Sequence, residues 1–339
     1  MPFPAFGIDL GTSNIKIYNG MNDTIVSRKN MIAVQKTHTH KTVMAYGDEA
    51  FEMYEKAPAN VTVSYPVISG VIAEIQNMQM LFHHFIMDEL EGNLRNADFF
   101  LSVPTDITQV EKRAFFDLVK DSNVRARNIF VVEKAIADGY GLQDEVKESP
   151  GVLVVNIGYE TTEISILSLG GIVLSRLIKT GGKKFDESIR NVIRKEYNLM
   201  IGNKTAERVK IALPALEEAE EDAIVYGRDV VTGLPVERSI PTILIERAMH
   251  ENFEYIIDSV RVILERTPPE LGADIYKHGI YLTGGSATIG DLHKLISDNT
   301  GLKVNISPLG ESSVAYGLSQ IIKNEMFRHV AYSMEEVGR

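Results

Sequence analysis

Two stretches of this chain repeat one pattern, a buried strand, a short polar turn and a second buried strand, and that repetition limits the folds open to it. The later stretch reads Leu153-Val-Val-Asn-Ile-Gly-Tyr-Glu-Thr-Thr-Glu163. Its apolar run, Val152 to Val155, breaks into a turn at Gly158 and resumes as Ile164-Ser-Ile-Leu167, the pattern of a β-hairpin. The earlier stretch has the same build: Phe6-Gly-Ile-Asp-Leu10 leads into Gly11-Thr-Ser-Asn14 and then Ile15-Lys-Ile-Tyr18. A turn whose backbone N–H groups point into a cleft can hold a phosphate without a long basic side chain. Two such hairpins suggest two related domains gripping one phosphorylated ligand from both sides. Gly, Ser and Asn also furnish ordinary hairpin turns, so the first hairpin taken alone supports either reading.

A chain of 339 residues is long enough for two domains, each with its own core. Hydrophobic content of 44% and charged content of 24% are those of a soluble globular protein. The absence of cysteine excludes disulfides and thiolate metal sites. A net charge of −11 argues against general nucleic-acid binding and offers an anionic membrane no attraction. No apolar run reaches transmembrane length, and Met1 to Phe6 holds neither a basic region nor a signal-peptide core. These features lead us to expect a cytoplasmic protein.

Asp9 closes the first strand, where a carboxylate can hold a metal through water. His38 and His40 lack close carboxylates, and His83 and His84 are adjacent on a helix, so all four read as surface residues. Apolar positions from Ile75 to Leu90 keep helical spacing up to Glu91, and a loop, Glu91 to Asn96, precedes the strand Phe99 to Val103. Pro104-Thr-Asp106 starts a helix. A short strand, Asn128 to Val132, then leads into a helix whose first turn carries Glu133 and Lys134, and a helix N-terminus attracts anions. The polar segment Gln143 to Gly151 is the expected domain boundary. Further helices are predicted over 205–213 and Thr242 to Glu265, the latter stopping before Pro268-Pro269. The acidic run Glu217 to Asp222 reads as a solvated face or loop. Gly279 to Thr283 is a strand entering Gly284-Gly-Ser-Ala287, where backbone lies open to a flat or anionic ligand. A last helix spans Val314 to Glu325.

The order hairpin, helix start, hairpin, Glu-x-x-Lys helix and strand-Gly-Gly is similar to the actin-like superfamily of sugar kinases, heat-shock chaperones and actins. Closer agreement lies in Ala45 to Glu49, ITQVEKRA (107–114), ILSLGGIVLSR (166–176), GRDVVTGLP (227–235) and ERTPPELGADIYKHGIYLTGGSA (265–287). Over about residues 5 to 322 the chain resembles bacterial MreB, as a divergent paralogue of that family.

The resemblance implies an α/β, actin-like two-domain fold, each domain with a large and a small subdomain around a nucleotide cleft. Domain I would cover 1–145, with its small subdomain at about 33–65. Domain II would cover 146–317, with its small subdomain at about 182–245, and 318–339 would return to domain I. ATP or ADP with Mg²⁺ is the implied cofactor. Gly11, Thr12, Ser13 and Asn14, with Asp9 and Lys16, would serve the first phosphate loop, and Gly158, Tyr159, Glu160 and Thr161 the second. Glu207 and Lys210 would line the ribose and adenine side, with Gly284, Gly285, Ser286 and Ala287 flanking the adenosine. Asp9 and Asn156 would support the metal through water. Implied partners are further copies of the chain stacked head to tail, a contact that does not close and so gives filaments, together with paralogous bacterial actins.

Three departures from the family pattern fall in the catalytic region. The family's Glu-Glu-Pro is Glu133-Lys134-Ala135 here, so the Glu that polarises the attacking water is Lys134. The family's Asp-Ile-Gly-Gly-Gly-Thr-Thr-Glu is Asn156 to Glu163, with an amide for the carboxylate and with Tyr159 and Glu160 for two glycines. The Thr that follows Asn in the first loop is Ile15. Glu133, Lys134 and Thr161 are the candidate catalytic residues. Loss of a general base or water positioner costs about 10²–10⁴-fold in rate, and a weakened outer metal shell roughly 10–100-fold. Weak or absent hydrolysis is therefore expected, unless Glu133 or Glu160 substitutes; Lys134 would either act as a fixed cation or pair with Glu160. The expected function is a filament-forming cytoskeletal protein governing cell shape, internal organisation or motility. The alternative is a small-molecule kinase of the superfamily, although no acceptor-site motif supports it; a chaperone lacks the chain length after residue 330. Phe3 and Phe6 make too short an N-terminus for a membrane helix, and Leu94 is the lone apolar side chain of its loop. Membrane association is thus expected to be weak or indirect, with a position beneath the membrane.

Overall fold

A computed structural model describes residues 4–36, 41–89, 95–122, 124–142 and 151–335. His38, His40, Phe3, nearly all of the segment Glu91 to Asn96 and most of the linker Gln143 to Gly151 lie outside the described residues.

Both hairpins form, and each seeds a five-stranded sheet of the same plan. In the first sheet Ala5–Leu10, Asn14–Asn19 and Thr24–Lys29 make an antiparallel meander. Arg95–Val103 and Arg125–Glu133 then add in parallel beside Ala5–Leu10. In the second sheet Val152–Ile157, Thr162–Ser168 and Gly171–Ile178 are the meander. Ile280–Thr283 and Val304–Ile306 are its parallel additions. The central strands are apolar on both faces because helices cover them, and Val152–Ile157 is buried along its whole length.

Three packed layers follow. Helices Ile75–Glu89 and Gln109–Lys120 close a core on the first sheet through Phe82, Phe85, Phe115 and Phe116. Helices Gly182–Tyr197, Asn203–Glu218, Thr242–Glu265 and Leu292–Thr300 do the same for the second through Phe185, Val209, Phe253 and Ile296. Between the sheets, Lys134–Gly141 and Ser313–Lys323 form a third core with Phe100, Val154 and Tyr281. These two helices touch backbone to backbone: a Cβ on Gly317 would stand 1.6 Å from the Ala137 carbonyl oxygen. After the second helix the chain returns to the first sheet, where Tyr332 exchanges backbone hydrogen bonds with Val131 at 2.8 and 3.0 Å.

Several expectations need adjustment. The strand predicted from Asn128 to Val132 runs from Arg125 to Glu133, so the helix begins at Lys134 and Glu133 precedes it. The helix predicted over 205–213 spans Asn203–Glu218 and carries Pro214 on its exposed side. Its last turn takes in Glu217 and Glu218, and the acidic run is exposed as expected. The final helix ends at Lys323, and a 3₁₀ segment, Glu325–Val330, follows. His84 stacks on Tyr46 at 4.2 Å, while His83 Nδ1 lies 3.1 Å from the Ser122 carbonyl; among the described residues neither belongs to a group that could hold a metal. Phe6, considered for membrane contact, is fully buried against Phe99.

Candidate functional site

The two hairpin turns face each other across a cleft between the sheets. Register fixes them: Leu10 pairs with Ile15 at the end of one hairpin and Ile157 with Thr162 at the end of the other. The first turn is pinned from outside by Asn30 Nδ2, which donates to the Gly11 carbonyl at 2.7 Å. The second is pinned by the start of helix Gly182–Tyr197, where Gly182 N and Lys183 N donate to the Gly158 and Tyr159 carbonyls at 3.0 and 2.7 Å. The strand-Gly-Gly turn joins it, Ser286 N and Oγ donating to the Ile157 and Gly158 carbonyls at 3.0 and 3.1 Å.

Asp9, Gly11, Thr12, Ser13, Asn14, Lys16, Lys134, Asn156, Gly158, Tyr159, Glu160, Thr161, Glu207, Lys210, Gly284, Gly285 and Ser286 all line this cleft. Two predicted residues do not. Ala287 is buried in the core of the second sheet. Glu133 turns away because the strand continues one residue further than expected; its Oε1 accepts from Lys112 Nζ at 2.7 Å and from the Tyr332 hydroxyl at 2.9 Å. Ile15 also faces a core and not the cleft.

Glu160 bridges the two sides of the cleft. Its Oε2 accepts from Ser69 N at 2.5 Å and Thr12 Oγ1 at 3.4 Å, and its Oε1 from Lys183 Nζ at 2.7 Å. Lys134 does not pair with it. The Lys134 Nζ stands 3.5 Å from Asp9 Oδ1, and Lys16 Nζ stands 3.8 Å from Asp9 Oδ2. Ser102 Oγ also donates to Asp9 Oδ1, at 2.8 Å. Burial raises the Asp9 carboxyl, but the Lys134 and Lys16 charges and the Ser102 bond outweigh it and leave the pKa below the ordinary value. Burial lowers Lys134, yet Asp9, Glu163 and Asp138 hold its ammonium above the ordinary lysine value. The residue is therefore a permanent cation at neutral pH.

Asn156 has a reason of its own. Its Nδ2 donates to Asp138 Oδ2 at 2.8 Å, and Thr283 Oγ1 donates to the same oxygen at 2.5 Å. Burial pushes the Asp138 carboxyl up. An aspartate at position 156 would set two carboxylates against each other there. Glu163, also pushed up by burial, accepts from Thr105 N at 3.1 Å.

These residues do not fit a resident Mg²⁺. Asp9 is occupied by Lys134, Lys16 and the Ser102 hydroxyl, Asn156 offers only a neutral carbonyl oxygen while its Nδ2 is bonded to Asp138, and a dication beside the Lys134 ammonium is repelled. Among the described residues no group of three or more His, Asp or Glu side chains is placed to hold a metal.

On the opposite wall, Lys210 Nζ stands 2.7 Å from Asp186 and donates to the Gly182 carbonyl at 3.0 Å, while Glu207 lies 3.8 Å from Lys29. Tyr159 packs by Tyr65 at 5.7 Å. Lys29, Ser102, Asp138, Lys183 and Glu311 were missed from sequence; each comes from a segment remote from the loops it serves.

A cleft between two like-built sheets, closed by two hairpin turns and a strand-Gly-Gly turn, defines an actin-like fold. The comparisons agree and narrow it. Residues 4–329 match the family described as MreB/Mbl protein. The cell shape-determining protein Mbl of Bacillus subtilis is 33% identical over 321 residues, 94% of this chain and 95% of its own. The cell shape-determining protein MreB of Escherichia coli K12 is 33% identical over 316 residues, 91% and 90% of the two chains. MreB5 of Spiroplasma citri, solved bound to ADP, superposes with a TM-score of 0.89 at 32% identity, covering 97% of this chain and 98% of that one. A MamK double helical filament subunit, at 21% identity and a TM-score of 0.78, shares the fold over 95% and 99%. The chain belongs to the MreB/Mbl family.

Proposed function

We propose that this chain is a nucleotide-binding cytoskeletal protein that polymerises head to tail, with ATP hydrolysis weak or lost. The observation that carries the second half is the state of the cleft carboxylates. Glu160 is held by Lys183, Ser69 and Thr12, Glu133 points out to Lys112, and Glu163 is bonded to Thr105 while facing the Lys134 charge. Of these, only Glu163 brings an unpartnered oxygen, Oε2, to the cleft, and it faces the Lys134 ammonium, which occupies the position the family gives to orienting the water. In this reading Gly11 to Asn14, Lys16 and Gly158 to Thr161 hold the phosphates. Glu207, Lys210 and Gly284 to Ser286 take the ribose and base.

Nucleotide binding is supported by the relatives: MreB5 of Spiroplasma citri was solved with ADP and with AMPPNP. Self-association is supported by family membership and by the filament of the like-folded MamK. The Mg²⁺ of the family pattern is not carried over, because Asp9 is engaged by Lys134 and position 156 offers a neutral amide in place of a carboxylate. We read the chain as two domains meeting at about residue 145, with 318–339 rejoining the first. We also place it in the cytoplasm near the membrane, with weak or indirect attachment and with paralogous actins as partners. No helix among the described residues is long and apolar enough to cross a membrane. The kinase alternative gains no support from these relatives.

Sedimentation and negative-stain electron microscopy with and without ATP test the polymer. Filaments in the pellet are the expected outcome, and their absence under every nucleotide condition would remove the proposal.

A further inference from the structure

The disagreement between the cleft and a resident magnesium ion points to a different way of holding a triphosphate. We propose that Lys134 is the site's built-in cation, so that the cleft takes the nucleoside triphosphate as the free anion and not as its magnesium complex. The inference rests on the nucleotide-binding reading above and concerns what accompanies the nucleotide.

A triphosphate entering between the two turns meets the Asp9 carboxylate, which is anionic and buried. Without a counter-charge the two repel. In this chain the counter-charge is covalently attached: Lys134 Nζ on one carboxylate oxygen at 3.5 Å and Lys16 Nζ on the other at 3.8 Å, with both side chains lining the same cleft. An ammonium carries three donors on a compact charge. One engaged with Asp9 leaves others for phosphate oxygens, so Lys134 can bridge carboxylate and phosphate as a hydrated metal otherwise would. Lys29, Lys183 and Lys210 also reach toward the cleft but are matched by Glu207, Glu160 and Asp186, and Lys16 stands 3.9 Å from Glu311 as well as beside Asp9, which leaves Lys134 as the principal cation facing the phosphates.

The amide at position 156 belongs to the same arrangement. A metal shell there needs a second anionic oxygen, whereas Asn156 supplies N–H to the buried Asp138. Lys134 and Asn156 therefore change together in one direction, toward a site that carries its own positive charge and does not gather a dication.

The test is binding of a fluorescent methylanthraniloyl-ATP to the full chain, in excess Mg²⁺ and in excess EDTA. Affinity in EDTA equal to or tighter than in Mg²⁺ is expected. Lys134→Met should weaken binding in EDTA by about tenfold or more, as for loss of a charged hydrogen bond, whereas Lys134→Arg should keep it. Thermal unfolding of each variant without nucleotide separates misfolding from lost charge, and the wild-type comparison needs no variant. Binding only in Mg²⁺ would overturn the built-in cation while leaving the nucleotide reading intact. Binding in neither condition would remove both.

Discussion

Removing the Glu55 carboxylate should open the cleft without unfolding either lobe. Glu55 lies between the helix Gly47–Met53 and Val61–Ser64, the strand that pairs with Ile32–Lys36 in a small sheet completed by Lys41–Tyr46, and it is held at a φ of 63°. From there it reaches across to the first residue of helix Asn203–Glu218. Its two oxygens accept from Asn203 N at 3.1 and 2.8 Å, and Oε1 accepts from Asn203 Nδ2 at 2.8 Å. The helix has no cap of its own, since Gly202 stands at that position, so a carboxylate from the other lobe supplies the cap and meets the positive end of the helix dipole. The same helix carries Glu207 and Lys210 into the cleft. A charge-assisted hydrogen bond is worth about 1.5–3 kcal/mol net, and solvent exposure places this contact near the lower end. Taking roughly 1–2 kcal/mol, Glu55→Ala should shift the closed–open balance by about 5- to 30-fold. In stopped-flow chase experiments, release of a fluorescent ATP analogue should accelerate by that factor. The thermal midpoint should change little, because neither large core is touched. Gly202→Ala is an independent check, because its Cβ would stand 2.7 Å from Glu55 Oε2 and displace the carboxylate while keeping its charge. Release unchanged within twofold in both variants would refute the idea that this contact governs closure.

Three further outcomes follow from the packing and electrostatics. Gly317→Ala places a methyl group on the Ala137 carbonyl; overpacking of this kind costs about 1–3 kcal/mol or more, so a large fall in urea midpoint is expected, and an unchanged midpoint would contradict the helix contact. Burial raises the Asp186 carboxyl to about 6, against the pull of Lys210. The folded state then holds a proton that the unfolded state releases, so this group's stabilisation is complete below about pH 4 and is lost as pH rises through about 6, by at most about 3 kcal/mol. Asp186→Asn should remove that slope from a stability-versus-pH series, and equal slopes in both proteins would disprove it. Thr108→Ala removes the capping box that Thr108 and Glu111 make at helix Gln109–Lys120; a loss of about 1 kcal/mol in chemical denaturation is expected.

The elements that could be read in the sequence are those fixed by local periodicity. Both hairpins, the helix Thr242–Glu265 and the strand-Gly-Gly turn fall where alternation, helical spacing and Pro or Gly punctuation put them. The two hairpin turns that face the cleft were legible for the same reason, since their residues are contiguous. What the cleft does with them was not. The side-chain direction of Glu133 depended on where a strand ended, and one extra residue of pairing turned it toward Lys112. The partner of Lys134 was set by the meeting of a helix start with a strand more than a hundred positions earlier, a contact with no local signature. Asp138 looked like one more residue of a short helix, yet it explains the amide at position 156. Glu55 showed no pattern at all.

The central claim is that this family member keeps a nucleotide site while its hydrolytic parts are replaced. Phosphate release from the purified full chain at saturating ATP, run beside an actin-family protein with the unmodified Glu-Glu-Pro sequence, tests it most directly. Release slower by about 10²-fold or more is predicted, in keeping with the loss of a positioned base. Turnover equal to that of the reference protein would contradict the account.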